Sequence, residues 1–131
     1  MHELSIAEDL VRAIGGELRR YPNTRLKSAL VRVGALRLIE PTTLERCFEA
    51  AVSDSPLAGA QLRVEQVKAS ARCRKCCLEF AVEDRWFECP RCGETGSELL
   101  RGDELQLVSL ELENETNEIE SVGEGVYANQ K

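Results

Sequence analysis

Apolar residues recur at helical spacing along the first twenty positions, where Ile6, Leu10, Ala13, Ile14 and Leu18 would share one face. Ser5 followed by Glu8 fits a capping box, so this helix is expected to open at Ser5. Gly15-Gly16 weakens it and Tyr21-Pro22-Asn23 ends it. From Arg25 to Val33 the pattern turns to alternation, with Ala29, Val31 and Val33 on one face of a strand that Gly34 breaks. Pro41-Thr42-Thr43 opens a second helix, with Thr42 and Glu45 as a second capping box. Its apolar face is Leu44, Cys47, Phe48, Ala51 and Val52. Ala60 to Lys68 reads as a strand, with Leu62 and Val64 opposite Arg63 and Glu65. Strand-like alternation returns from Glu104 to Leu112 and switches phase near Leu107-Val108, as a bulge would make it do.

Between about Ala71 and Arg101 apolar material thins out and Cys73, Cys76, Cys89 and Cys92 cluster, with Cys77 beside them. These elements predict an α+β fold: a small sheet packed by two helices, with the cysteine segment inserted before the last strand. The expected division is residues 1–69 plus 102–113 as an α/β domain and 70–101 as a separate cysteine domain. The ends of the insertion must then meet for the last strand to rejoin the sheet. Residues 114–131, polar and Glu-rich without periodicity, read as an acidic flexible tail.

A length of 131 residues allows one ordinary domain or two very small ones, which excludes a barrel enzyme or a solenoid. The formal net charge of -6 is unevenly placed, since residues 111–131 hold six glutamates against Lys131. The preceding 110 residues are nearly balanced, at 17 acidic and 16 basic. A binder that neutralises phosphates carries a basic excess, so no nucleic-acid partner is expected. No apolar run is long enough to span a bilayer, and no membrane partner is expected. Met1-His2-Glu3-Leu4-Ser5 running into Glu8 and Asp9 lacks the pattern of a secretion signal, so the expected location is cytoplasmic and reducing.

In that setting clustered cysteines point to metal rather than disulfides. Cys73-Arg74-Lys75-Cys76 and Cys89-Pro90-Arg91-Cys92-Gly93 are two C-x-x-C pairs, each able to present two thiolates from one tight turn. Four sulfurs in a tetrahedron make a closed structural zinc site, so a zinc-ribbon-like four-cysteine domain with Zn(II) on Cys73, Cys76, Cys89 and Cys92 is expected. Arg72, Arg74, Lys75 and Arg91 are placed to offset the excess negative charge. Rubredoxin-like iron shares the turn, but the spacing is short and aromatic cover sparse. A zinc-ribbon interaction module contacting nucleic acid through the basic residues is the alternative function. Cys77 is either a substitute ligand or a neighbouring thiol, and Cys47 is expected as a buried helix-face cysteine with no base to activate it.

His2 is the only histidine and adjoins the α-amine. The Met1 amine, the deprotonated His2 amide and the His2 imidazole form fused chelate rings in a plane, and the Glu3 amide or carboxylate can take a fourth place. Square-planar nitrogen and oxygen donors favour Ni(II) or Cu(II) over zinc.

Met1-His2-Glu3-Leu4-Ser5-Ile6-Ala7, followed by two helices, strands and paired C-x-x-C motifs, resembles the HypA/HybF family of hydrogenase nickel-incorporation proteins over about residues 1–113. The resemblance implies a nickel metallochaperone and not an enzyme. It would deliver Ni(II) to the large subunit of a [NiFe]-hydrogenase and, in some organisms, to urease. It implies transferable nickel on His2 with the Met1 amine and nearby amides, assisted by Glu3, which makes the α/β domain the nickel-binding one. It also implies structural zinc on the four cysteines and a maturation GTPase of the HypB type as partner. Several relatives carry a histidine beside a zinc-binding pair; this segment has none, so no pH switch through such a histidine is expected. The acidic stretch from Asn114 runs past the usual end of the family.

Overall fold

The computed structural model describes residues 3–83 and 87–122, together with the backbone of 127–128. Helix α1 spans Glu3–Leu18, β1 Thr24–Gly34, a single 3-10 turn Ala35–Arg37, α2 Pro41–Val52 and β2 Gln61–Val67. The cysteine segment supplies β3 Ala69–Cys73, β4 Glu79–Val82 and β5 Ser97–Arg101, and the chain returns through β6 Leu105–Asn114, β7 Ile119–Val122 and β8 Tyr127–Ala128.

Two sheets result. The larger has the order β2-β1-β6-β7, with β8 also on β6; the smaller is β4-β3-β5. β1 and β2 run parallel, joined by the crossover through α2, whereas β1 and β6 run antiparallel. Both helices bury one stripe against the larger sheet: Ile6, Ala7, Leu10 and Ile14 from α1, and Leu44, Phe48 and Val52 from α2. Leu26, Ala29, Val31 and Val33 of β1 and Leu105, Leu107, Leu110 and Leu112 of β6 complete this aliphatic core. The architecture is the α+β arrangement expected from the periodicity.

The bulge is where the alternation places it. Leu30 pairs with Ser109 but Val31 with Leu107, leaving Val108 as the extra residue. A second irregularity, between Leu26 and Ser28, shifts β1 in the same way. Each bulge keeps leucines on the core side across a phase change that would otherwise turn half the strand outward.

Both capping expectations are corrected. α1 is already helical at Glu3, so Ser5 lies inside its first turn instead of capping it. α2 is capped by Glu40 and not Thr42: the Glu40 carboxylate accepts from the Thr43 N–H at 2.6 Å and the Thr43 hydroxyl at 2.8 Å. Pro41 explains the choice, because a residue before proline is held extended, and Glu40 sits at φ -84, ψ 116.

The stretch read as a flexible tail also differs. Asn114 ends β6 and β7 folds back on it, pairing Leu110 with Val122 and Glu113 with Ile119. Pairing with a neighbouring strand orders these residues, and that is invisible to a reading based on composition. Residues 123–126 and 129–131, and the side chains of 127–128, lie outside the described residues.

The cysteine segment enters and leaves the larger unit at one point. Ser70 pairs with Arg101, and Gly102 lies against Ala69. The 3-10 turn wedges here: the Leu36 N–H donates to the Gly102 carbonyl at 2.8 Å, and Leu36 packs with Phe80 and Phe87 on the cluster formed by Ala69, Ala71 and Val82. No helix among the described residues is long and apolar enough to cross a membrane.

Candidate metal centre

β3 ends at Cys73, and the chain turns at once through Arg74 and Lys75 to Cys76. The turn closes with the Cys77 N–H donating to the Cys73 carbonyl at 2.9 Å. The second pair repeats this closure, the Gly93 N–H donating to the Cys89 carbonyl at 2.9 Å. Cys77 and Gly93 both have positive φ, 65° and 76°. The two turns are therefore equivalent, each ending on a left-handed residue that swings the chain over its sulfurs.

The turns face each other, and the four Sγ atoms lie within 4.8 Å of one another. Cys73 and Cys92 approach to 3.5 Å, as do Cys76 and Cys89. A disulfide needs about 2.05 Å, so these contacts are not bonds, and all six cysteines are free. A tetrahedron of sulfurs about 2.3 Å from a central ion has edges of about 3.8 Å, so the spacing and the donor set both fit a four-thiolate metal site. Cys73 and Cys89 are buried, and Cys92 is exposed.

Backbone dipoles point into the cluster. The N–H groups of Lys75 and Cys76 each donate to the Cys73 sulfur at 3.4 Å. The Cys76 N–H, ahead of all other influences, holds the Cys73 thiol below its usual range. Cys76 is drawn down to about 6 by the Leu78 N–H and by Arg91, whose guanidinium also donates to the Cys76 carbonyl at 3.1 Å. Cys92 goes the other way: the Glu94 N–H favours its thiolate, but burial and the three neighbouring sulfurs together push it up to about 12. Four sulfurs this close resist full ionisation without a cation between them, which is how a metal-binding cluster behaves. Of the four basic residues expected to offset the charge, Arg91 is held at the cluster, while Arg72 faces Glu79 at 3.5 Å. Cys77 is exposed and stands outside the four-sulfur group.

The second expected site is only partly in view. Met1 and His2 lie outside the described residues. Glu3 opens α1, and its carboxylate accepts the Glu40 N–H at 3.1 Å. The starts of the two helices are thereby tied together, with the Glu40 carboxylate beside the tie and held below its usual range, chiefly by the Thr43 N–H. Sequence reading passes over Glu40; the signal for it is Pro41. Cys47, expected to be buried, is half-buried on the core side of α2.

Comparison with known proteins gives the family and the fold. Residues 1–112 match the family described as "Hydrogenase/urease nickel incorporation, metallochaperone, hypA". The hydrogenase maturation factor HypA of Desulfosudis oleivorans is 39% identical over 113 residues, covering 86% of this chain and 98% of that protein. Its counterpart from Geotalea uraniireducens is 37% identical over 113 residues, covering 86% of this chain and 100% of that protein. The solution structure of the Ni metallochaperone HypA from Helicobacter pylori superposes with a TM-score of 0.60 at 20% identity, covering 84% of this chain and 96% of that one, which establishes the shared fold. The chain belongs to the HypA family of nickel-incorporation metallochaperones.

Proposed function

We propose that this metallochaperone of hydrogenase maturation takes up Ni(II) at its amino terminus, through the Met1 amine, the His2 amide and imidazole, and Glu3. The observation that carries the reading is the hold on Glu3, whose carboxylate is fixed by the Glu40 N–H at 3.1 Å. The Glu3 end of α1 is thus anchored to the start of α2. Planar nitrogen and oxygen donors suit a divalent nickel ion that has to be released again. Nickel here is cargo, and the protein is a carrier, not an enzyme.

Cys73, Cys76, Cys89 and Cys92 are proposed to hold a resident Zn(II), which fits their spacing and all-thiolate chemistry. Zinc would supply charge neutralisation and cross-linking, not catalysis. The proposed recipients are the large subunit of a [NiFe]-hydrogenase and, by the wording of the family description, urease proteins. The proposed partner is a maturation GTPase of the HypB type, in the cytoplasm. The two metal roles divide residues 1–69 plus 102–113 from residues 70–101. A nucleic-acid-binding zinc module is less well supported, because Arg72 and Arg91 are already engaged by Glu79 and Cys76.

Isothermal titration of nickel into untagged protein and into His2→Ala tests the reading, with zinc content measured on both. Lost nickel binding with unchanged zinc is expected. Unchanged nickel affinity in the variant overturns it.

A further inference from the structure

β6 is a ten-residue strand with β1 on one side and β7 and β8 on the other. The family match stops at residue 112, inside β6, and the Geotalea protein is used up by 113 aligned residues. The hairpin beyond Asn114 is therefore an addition, and it covers a strand edge that the shared part of the fold leaves open.

That edge would be a ready template for another strand. It offers an unpaired row of N–H and C=O groups along a strand whose core side is Leu105, Leu107, Leu110 and Leu112. The added segment is built to fill it. The Asn114 carboxamide oxygen accepts from the Thr116 N–H, the Thr116 hydroxyl and the Glu118 N–H at 2.8–2.9 Å, and Asn117 turns the chain at φ 63°. β7 then runs back in register, and Val122 packs against the main core. The outermost strand becomes four residues long, with Glu120 within it and Glu115 and Glu118 in the preceding turn. Short, acidic edges resist strand addition.

We propose that the hairpin beyond Asn114 keeps the chain monomeric by occupying the position where β6 of a second copy would pair antiparallel. Self-pairing of β6 is compatible with its charges. Glu113 and Glu111 already carry Arg25 and Arg63 partners, at 2.8 and 3.5 Å, so two such strands do not confront bare carboxylates. A two-fold pairing would also join the two larger sheets edge to edge, continuing both leucine faces.

The test is a full-length Ile119→Pro/Ser121→Pro/Tyr127→Pro variant, which interrupts both β7 and β8 on β6, examined by size-exclusion chromatography with light scattering across micromolar concentrations. Ile119 and Ser121 are exposed, so the substitutions remove strand pairing while the buried core side chains are left unchanged. The wild type is expected at monomer mass throughout and the variant at twice that mass as concentration rises. The outward β6 amides of the variant should regain hydrogen-exchange protection in step with the mass. A synthetic peptide of residues 114–128 should return it to monomer. If the triple variant loses helical circular dichroism, Asn117→Val, which disfavours the left-handed turn that starts the hairpin, gives the same readout. A variant that folds but stays monomeric overturns the proposal, as does a wild type that is already dimeric.

Discussion

Gly34 and Gly102 touch backbone to backbone: a Cβ placed on Gly34 would fall 2.1 Å from both the carbonyl carbon and the oxygen of Gly102. The contact lies where β1 ends and the smaller sheet hands the chain back to β6. It is fastened by the Gly34 N–H donating to the Glu104 carbonyl at 2.7 Å. Because the obstruction is backbone, no side chain can swing away to relieve it. Gly34→Ala is expected to destabilise the protein by about 3 kcal/mol or more, as overpacking does when nothing can yield. Urea unfolding followed by circular dichroism measures this; a loss below about 1 kcal/mol would mean the junction is looser than described.

Cys77 is the left-handed residue of the first metal turn, in the place that Gly93 fills in the second. A non-glycine residue there costs about 1 kcal/mol. Cys77→Gly should therefore stabilise the protein slightly while the content of the proposed zinc is unchanged. Reduced zinc affinity in this variant would make Cys77 a ligand after all.

Stripping the proposed zinc should be felt mainly in the smaller sheet, whose buried apolar cluster among the described residues is Ala69, Ala71 and Val82. Zinc binding to such small units is worth about 10 kcal/mol or more. With a chelator present, β3, β4 and β5 amides should lose hydrogen-exchange protection and the four ligand thiols should become reactive to Ellman's reagent. The β1 and β6 amides should remain protected. Equal loss in both sheets would show that the larger one depends on the metal too.

The Glu40 cap should make α2 sensitive to acid. Its carboxyl is held below 4.5, first by the Thr43 N–H and then by the Thr43 hydroxyl. A lowered folded pKa means stabilisation that is full above the unfolded value and fades as pH drops through the folded one. Glu40→Gln is expected to melt below wild type at about pH 7, with the gap closing as the solution is taken below about pH 4. A gap that stays constant from about pH 7 to about pH 3 would show that the charge is not what caps the helix.

Legibility follows whether a signal is local. The Val108 bulge can be read because leucines stay on one face only if the alternation shifts there. The metal turns can be read because C-x-x-C spacing specifies its own geometry. Glu40 escapes notice because capping propensity points to Ser and Thr; the extended state forced by Pro41 decides that position instead. β3 escapes because Ala69-Ser70-Ala71-Arg72 has too little apolar contrast to register. β7 escapes because its order comes from β6, a long-range partner that composition does not reveal. The amino-terminal pair Met1 and His2 rests on chemistry and resemblance alone.

The buried Arg37 has a mechanical consequence. Its guanidinium is held by the Asp103 carbonyl at 2.9 Å and lies 3.4 Å from the Asp103 carboxylate, with 3% of the side chain exposed. Asp103 sits on the connection between β5 and β6, so bending the sulfur-bearing lobe at that connection would tear a desolvated cation from these oxygens, a cost of several kcal/mol. The lobe is thus coupled to β1 like a keyed shaft. Torque exerted by a protein gripping the small sheet is transmitted through the key into the strand beneath both helices, without slack.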